Sequence, residues 1–125
     1  MLTILSVLFS SADVIILDEP TLGMDGFLIK ELADMIKKLS AEGKTVIMIS
    51  HEIPLVFKTV DEAIILNQGE KIFEGSKESL ARRDDIFDHI NIQLPPVVLL
   101  SKALGLDEIC YSVEEFAAKI VERNV

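Results

Sequence analysis

The chain has 125 residues, half of them hydrophobic, enough for a small core and too apolar for a disordered tail. Acidic residues outnumber basic ones 21 to 12, giving a net charge of −9. Such a chain is a poor binder of nucleic-acid phosphates and lacks the polybasic patch that would hold it on anionic lipid. A single cysteine, Cys110, excludes an internal disulfide framework and a cysteine-rich zinc site and points to a reducing compartment.

The start, MLTILSVLFSSA, mimics a signal peptide, but no Lys or Arg occurs before Lys30 to supply a positive flank. Residues 2–10 are apolar nearly all round, which predicts a buried helix. No apolar stretch reaches the roughly 18–20 residues needed to span a bilayer. Val14-Ile15-Ile16-Leu17 is a short, β-branched run of the kind found in strands buried on both faces. Leu28, Leu32, Met35, Ile36 and Leu39 then recur at helical spacing, with Asp25 placed to cap the start and Gly43 just past the end. Thr45–Ile49 is a second strand of the buried type, and Pro54 to Val60 predicts a short helix. Glu62–Leu66 is a third strand, Asn67-Gln68-Gly69 a turn, and Lys71–Phe73 the hairpin partner. Ser76 to Arg83 predicts another short helix.

The order strand, helix, strand, helix, strand indicates an α/β fold with parallel strands and a β-hairpin. Beyond residue 84 the character changes. Pro95-Pro96 opens a helix that stops at Gly105. Ser112 and Glu115 form a capping box, with Tyr111 and Phe116 at the positions of a hydrophobic staple, before a last helix over about 113–122. The chain therefore divides into an α/β part, 1–83, and a helical extension, 84–125.

The chemistry concentrates at Asp18-Glu19, two carboxylates at the carboxyl end of a buried strand. Ligands of open α/β sheets bind at that end. Side chains alternate along a strand, so one carboxylate can hold hydrated Mg²⁺ while its neighbour reaches an attacking water. Leu17-Asp18-Glu19-Pro20-Thr21-Leu22-Gly23-Met24-Asp25 closely resembles the Walker B motif and D-loop of ATP-binding-cassette (ABC) ATPases. Val46-Ile47-Met48-Ile49-Ser50-His51-Glu52, some way downstream, resembles their switch-histidine segment.

The resemblance implies roles. Asp18 holds Mg²⁺ through water, and Glu19 orients or deprotonates the attacking water. His51 contacts the γ-phosphate of ATP. Gly23 and Asp25, in the D-loop, face the nucleotide and the interface of an ATPase dimer. Phosphoryl transfer needs this positioning and charge neutralisation more than covalent chemistry. His89 lacks any such context and is expected at the surface, and Cys110 is expected to be a small buried hydrophobe.

A phosphate loop, G-x-x-x-x-G-K-[ST], is absent. Gly43-Lys44-Thr45 imitates its end, but Lys38 stands where the first glycine belongs, and the triplet follows a helix and opens a strand, the reverse of the required context. The signature sequence LSGGQ and the Q-loop are absent too. The fold implied is the carboxyl-terminal part of a P-loop NTPase of the ABC type, with the P-loop strand missing, and the chain is expected to be a piece of that ATPase. In the family that strand lies between those matching Thr45–Ile49 and Glu62–Leu66. The expectation is that Val14–Leu17 pairs in parallel with Thr45–Ile49, while the hairpin either leaves a gap or closes onto 45–49.

Ile92-Gln93-Leu94-Pro95-Pro96-Val97, Leu104-Gly105-Leu106 and Tyr111-Ser112-Val113-Glu114-Glu115 are similar to the carboxyl-terminal extension of energy-coupling-factor (ECF) ATPases. That branch implies ATP and Mg²⁺ as cofactors and a cytoplasmic location on the inner face of the cell membrane. It also implies a second ATPase subunit and membrane-embedded transport subunits as partners, no nucleic acid, and uptake of a vitamin, cobalt or nickel. Whether the chain itself is an enzyme stays open without the phosphate loop. The alternatives are a non-catalytic interaction module and a piece of a DNA-maintenance ABC-type ATPase, against which the acidic charge argues.

Overall fold

A computed structural model describes residues 11–124, so the helix expected over 2–10 lies outside the described residues. These residues form two compact units, divided between Leu55 and Val56. In the first, strand β1 (Val14–Asp18) leads through a loop to helix α1 (Gly26–Ala41) and strand β2 (Thr45–Ile49). β1 and β2 pair in parallel, from Val14 opposite Thr45 to Asp18 opposite Ile49.

Helix α1 begins where Asp25 accepts the Leu28 N–H at 2.9 Å. It ends in a Schellman cap: the Gly43 N–H donates to the Ser40 carbonyl and the Lys44 N–H to the Leu39 carbonyl. Gly43 has φ +86°, a conformation nearly confined to glycine. Gly43-Lys44 is thus a helix stop. Leu32, Ala33, Ile36 and Leu39 of α1 bury themselves against Ile15 and Leu17 of β1, with Leu55 completing the core. Full burial of a Leu or Ile side chain stabilises by about 1.5–3 kcal/mol.

The strands depart from expectation on one point. Ile15 and Leu17 are buried, but Val14, Ile16, Ile47 and Ile49 are exposed. Alternation sends them to the face opposite α1, so among the described residues β1 is buried on one face only, and β2 is partly buried on that face through Val46 and Met48. A continuous apolar run reports the affinity of both faces for a cover and does not supply the cover.

Helix α2 (Ile53–Thr59) carries Leu55 into the first unit's core and Phe57 into the second. There β3 (Glu62–Asn67) and β4 (Glu70–Ser76) form an antiparallel hairpin around Gln68-Gly69. Both turn residues have positive φ, +50° and +81°, as a two-residue turn matched to strand twist requires. The strands form two two-stranded sheets, β1–β2 and β3–β4, one in each unit.

Four helices follow: α3 (Lys77–Ala81), α4 (Asp84–Ile90), α5 (Pro96–Ala103) and α6 (Val113–Arg123). Ser76 caps α3 by accepting the Ser79 N–H. α4 was not anticipated; Asp84 and Asp85 in its first turn suit the helix dipole, and Asn91, at φ +55°, ends it in the left-handed conformation. α5 starts at Pro96 and stops at Gly105 in a second Schellman cap, with the Leu106 N–H on the Ser101 carbonyl.

Ser112 caps α6 by accepting the Glu115 N–H at 3.1 Å, while the Glu115 carboxylate reaches past the cap to the Tyr111 N–H at 2.8 Å. The Tyr111 ring stacks on Phe57, with centroids 5.8 Å apart, and Lys77 Nζ lies 4.8 Å from its centroid. Phe57 also meets Phe87. Cys110 is buried, as expected. Its N–H donates to Ser101 Oγ, whose hydroxyl donates to the Val97 carbonyl, so the buried serine is satisfied in both directions.

Candidate functional site

The site lies at the carboxyl ends of β1 and β2. Asp18 is the last residue of β1 and is exposed. The Glu19 N–H continues the ladder by donating to the Ile49 carbonyl at 2.8 Å. Glu19 itself has φ +44°, in the left-handed region that a residue with a Cβ rarely enters. The chain then turns twice, with the Leu22 N–H on the Glu19 carbonyl and the Met24 N–H on the Thr21 carbonyl. Strand alternation alone predicts that Asp18 and Glu19 diverge; the left-handed backbone is what re-aims Glu19, and nothing in its residue type announces it.

β2 delivers His51 to the same end. His51 Nδ1 lies 2.8 Å from Glu19 Oε2, with the imidazole largely exposed. Hydrogen bonding to Glu19, then the charge of Glu19 and the weaker charge of Glu52, raise the pKa of His51 above its ordinary 6.5. The two residues singled out for hydrolysis, distant in the chain, are therefore in contact.

Gly23 and Asp25 lie in the following loop. Gly23 has φ +77°, which explains a glycine there. Asp25 is engaged as the cap of α1. Among the described residues no hydrogen bond or ion pair joins either to the Glu19–His51 pair. His89 is exposed on α4, away from any such constellation. Ser50, within the histidine motif, has a structural partner: its Oγ accepts the Glu52 N–H at 3.0 Å.

Among the described residues no cluster of three or more His, Cys, Asp or Glu side chains could hold a metal ion. Asp18 offers an exposed hard oxygen donor and takes part in no ion pair among those residues. Mg²⁺ retains several waters and is commonly held by one or two carboxylates plus substrate phosphates. The donor set fits such a nucleotide-borne ion and does not form a dedicated metal cage. No described helix is long and apolar enough to cross a membrane.

No protein-family model matches the chain. Individual proteins do. It is 37% identical over 102 residues to the energy-coupling factor transporter ATP-binding protein EcfA2 of Staphylococcus saprophyticus, covering 81% of this chain and 36% of that protein. The EcfA2 protein of Thermotoga maritima is 38% identical over 82 residues, which are 66% of this chain and 31% of the relative. A putative ABC transporter ATP-binding protein of Pyrococcus horikoshii is 32% identical over 106 residues, 85% of this chain and 40% of the relative.

Among solved structures, cbiO1 of Clostridium perfringens, part of the ABC transporter complex cbiONQ, superposes with a TM-score of 0.51 at 26% identity. The match covers 72% of this chain and 36% of that one. The chain spans about a third of the length of these curated relatives, and its α/β arrangement of a parallel strand pair, a hairpin and helices corresponds to their carboxyl-terminal part. In sequence and in fold, the chain is a relative of the ATP-binding proteins of ABC transporters, those of the energy-coupling-factor type among them.

Proposed function

We propose that the chain carries the Walker B and switch-histidine part of the ATP-hydrolysing subunit of an ECF-type ABC importer. That subunit couples ATP binding and hydrolysis to uptake of a vitamin or transition-metal ion. The observation that carries the reading is the 2.8 Å approach of Glu19 and His51 at the carboxyl ends of β1 and β2. In this reading Glu19 orients the attacking water and accepts its proton, and His51 holds Glu19 in place and meets the γ-phosphate. Asp18 holds Mg²⁺ through water; bound with ATP, the ion would neutralise phosphate charge. Gly23 and Asp25 serve the D-loop at the interface with a second ATPase subunit.

Residues 1–83 form the partial ATPase domain and 84–125 an extension that helps subunits associate. Exposed Leu104, Val113 and Val121 support that role. The partners are a second ATPase subunit and membrane-embedded transport subunits, at the cytoplasmic face of the membrane. Nucleic acid is not a partner, in keeping with the net charge of −9.

These 125 residues contain no phosphate loop, hence no nest of N–H groups for the phosphates and no lysine to balance them. The chain by itself is therefore expected to show neither turnover nor saturable binding at millimolar MgATP. Joined to a phosphate-loop half from a relative, it should hydrolyse ATP. Glu19→Gln should then keep ATP binding and lower turnover by about 100-fold or more, the usual range for a lost general base. Wild-type hydrolysis by the Glu19→Gln protein would overturn the assignment. Saturable ATP binding by the chain alone would overturn its dependence on a phosphate loop.

A further inference from the structure

We infer that Ser50 is a positioning residue for the Glu19–His51 pair, acting through its side-chain hydroxyl; the functional meaning of that pair rests on the ATPase reading above, but its geometry does not. His51 follows Ser50 beyond β2, past the ladder pairs, which end at Asp18 opposite Ile49. Ser50 Oγ accepts the Glu52 N–H at 3.0 Å, closing a turn with His51 at its centre. The hydroxyl thus constrains the backbone on both sides of the imidazole.

Next to it, the Ile49 carbonyl accepts the Glu19 N–H at 2.8 Å, and the Glu19 carbonyl in turn accepts the Leu22 N–H. These backbone bonds fix Glu19 on both sides of its left-handed conformation. The carboxylate therefore comes from a backbone tethered to residue 49, and the imidazole from a turn closed by residue 50. Consecutive residues of one strand end set both halves of the contact. Ile49 contributes through its main chain and is insensitive to side-chain replacement; Ser50 contributes through its side chain and can be tested.

The test uses the full 125-residue chain and reads the imidazole by nuclear magnetic resonance at one fixed pH, without nucleotide. The chain has only two histidines, so His89→Asn assigns the spectrum. Glu19→Gln defines the ring-nitrogen shift of His51 without its carboxylate. Ser50→Val and Ser50→Thr have nearly the same shape and differ in the hydroxyl. Ser50→Val is expected to move the His51 resonances to the Glu19→Gln position, and Ser50→Thr to restore those of the wild type, with the thermal transition unchanged in both. Wild-type His51 shifts in Ser50→Val, or lost contact in Ser50→Thr, would refute the role. Global unfolding of Ser50→Val alone would also refute it, by making the hydroxyl a requirement of the fold. None of these readouts depends on ATP, so they stand apart from the hydrolysis test of the ATPase reading.

Discussion

At the carboxyl ends of β1 and β2, polar side chains stand in solvent on a strained backbone. Asp18 and His51 are exposed, and Glu19 is held at φ +44°, which costs about 1–2 kcal/mol for a residue with a Cβ. Around α5 and α6 the opposite holds. Ser101 is fully buried with its hydroxyl both donating and accepting, the helix ends are closed by Schellman and serine caps, and the strained positions fall on Asn91 and Gly105. One region leaves its polar groups in solvent on a strained backbone, and the other uses them to close its own backbone. Residues that break local rules without a packing reward mark the place to look for chemistry.

The largest expected effect would break the quiet region. Phe57 is buried between Phe87 and Tyr111, so Phe57→Ala should destabilise the chain by about 3–5 kcal/mol, read as a lower midpoint in urea. A loss below about 1 kcal/mol would mean the aromatic stack is ornamental.

Asp25 sits between the two categories, as a helix cap and a proposed D-loop residue. Asp25→Ala should cost about 1 kcal/mol and Asp25→Asn only a few tenths, since asparagine caps equally well. Equal losses in chemical denaturation would show that the charge, not the cap, stabilises α1.

Smaller, and opposite in sign, is the effect of relieving strain. Glu19→Gly should leave the chain as stable as before or about 1 kcal/mol more stable, because glycine enters the left-handed region freely. The same change should abolish hydrolysis in the joined protein. A clear loss of thermal stability would show that the Glu19 side chain contributes more to the fold than its left-handed backbone costs.

The subtlest effect is a titration. The carboxylate of Glu19 raises the pKa of His51, so the charged pair favours the folded chain. That contribution is fully present below the unfolded value of 6.5 and fades as pH rises through the raised folded value. Proton resonances of His51 should titrate above 6.5 and return toward it in Glu19→Gln. A midpoint unmoved by that substitution would break the pairing.

Most elements were legible because their signals are local. β2 coincides with its expected limits, Thr45–Ile49, and α1 starts at the cap offered by Asp25. The hairpin turns at Gln68-Gly69, α5 opens at Pro96, and α6 follows Ser112. α4 is poorly marked in the sequence because its start, Arg83, makes no side-chain cap, although Asp84, Asp85 and Asn91 carry weaker signals. At the site, Asp18, Glu19 and His51 were legible as motif residues, while Ser50 was only part of the pattern.

What the sequence determined by itself is the kind and order of most elements and the candidate residues Asp18, Glu19 and His51. Periodicity, caps and turn residues act within a few positions and need no distant partner. What only the tertiary structure decided is which faces are covered and which of the candidate side chains meet. Val14, Ile16, Ile47 and Ile49 are apolar whether or not anything lies over them, and their exposure depends on elements far away in the chain. The left-handed turn at Glu19 and its contact with His51 likewise follow from the parallel register of β1 and β2, which brings the Ile49 carbonyl to the Glu19 N–H and the imidazole to the carboxylate.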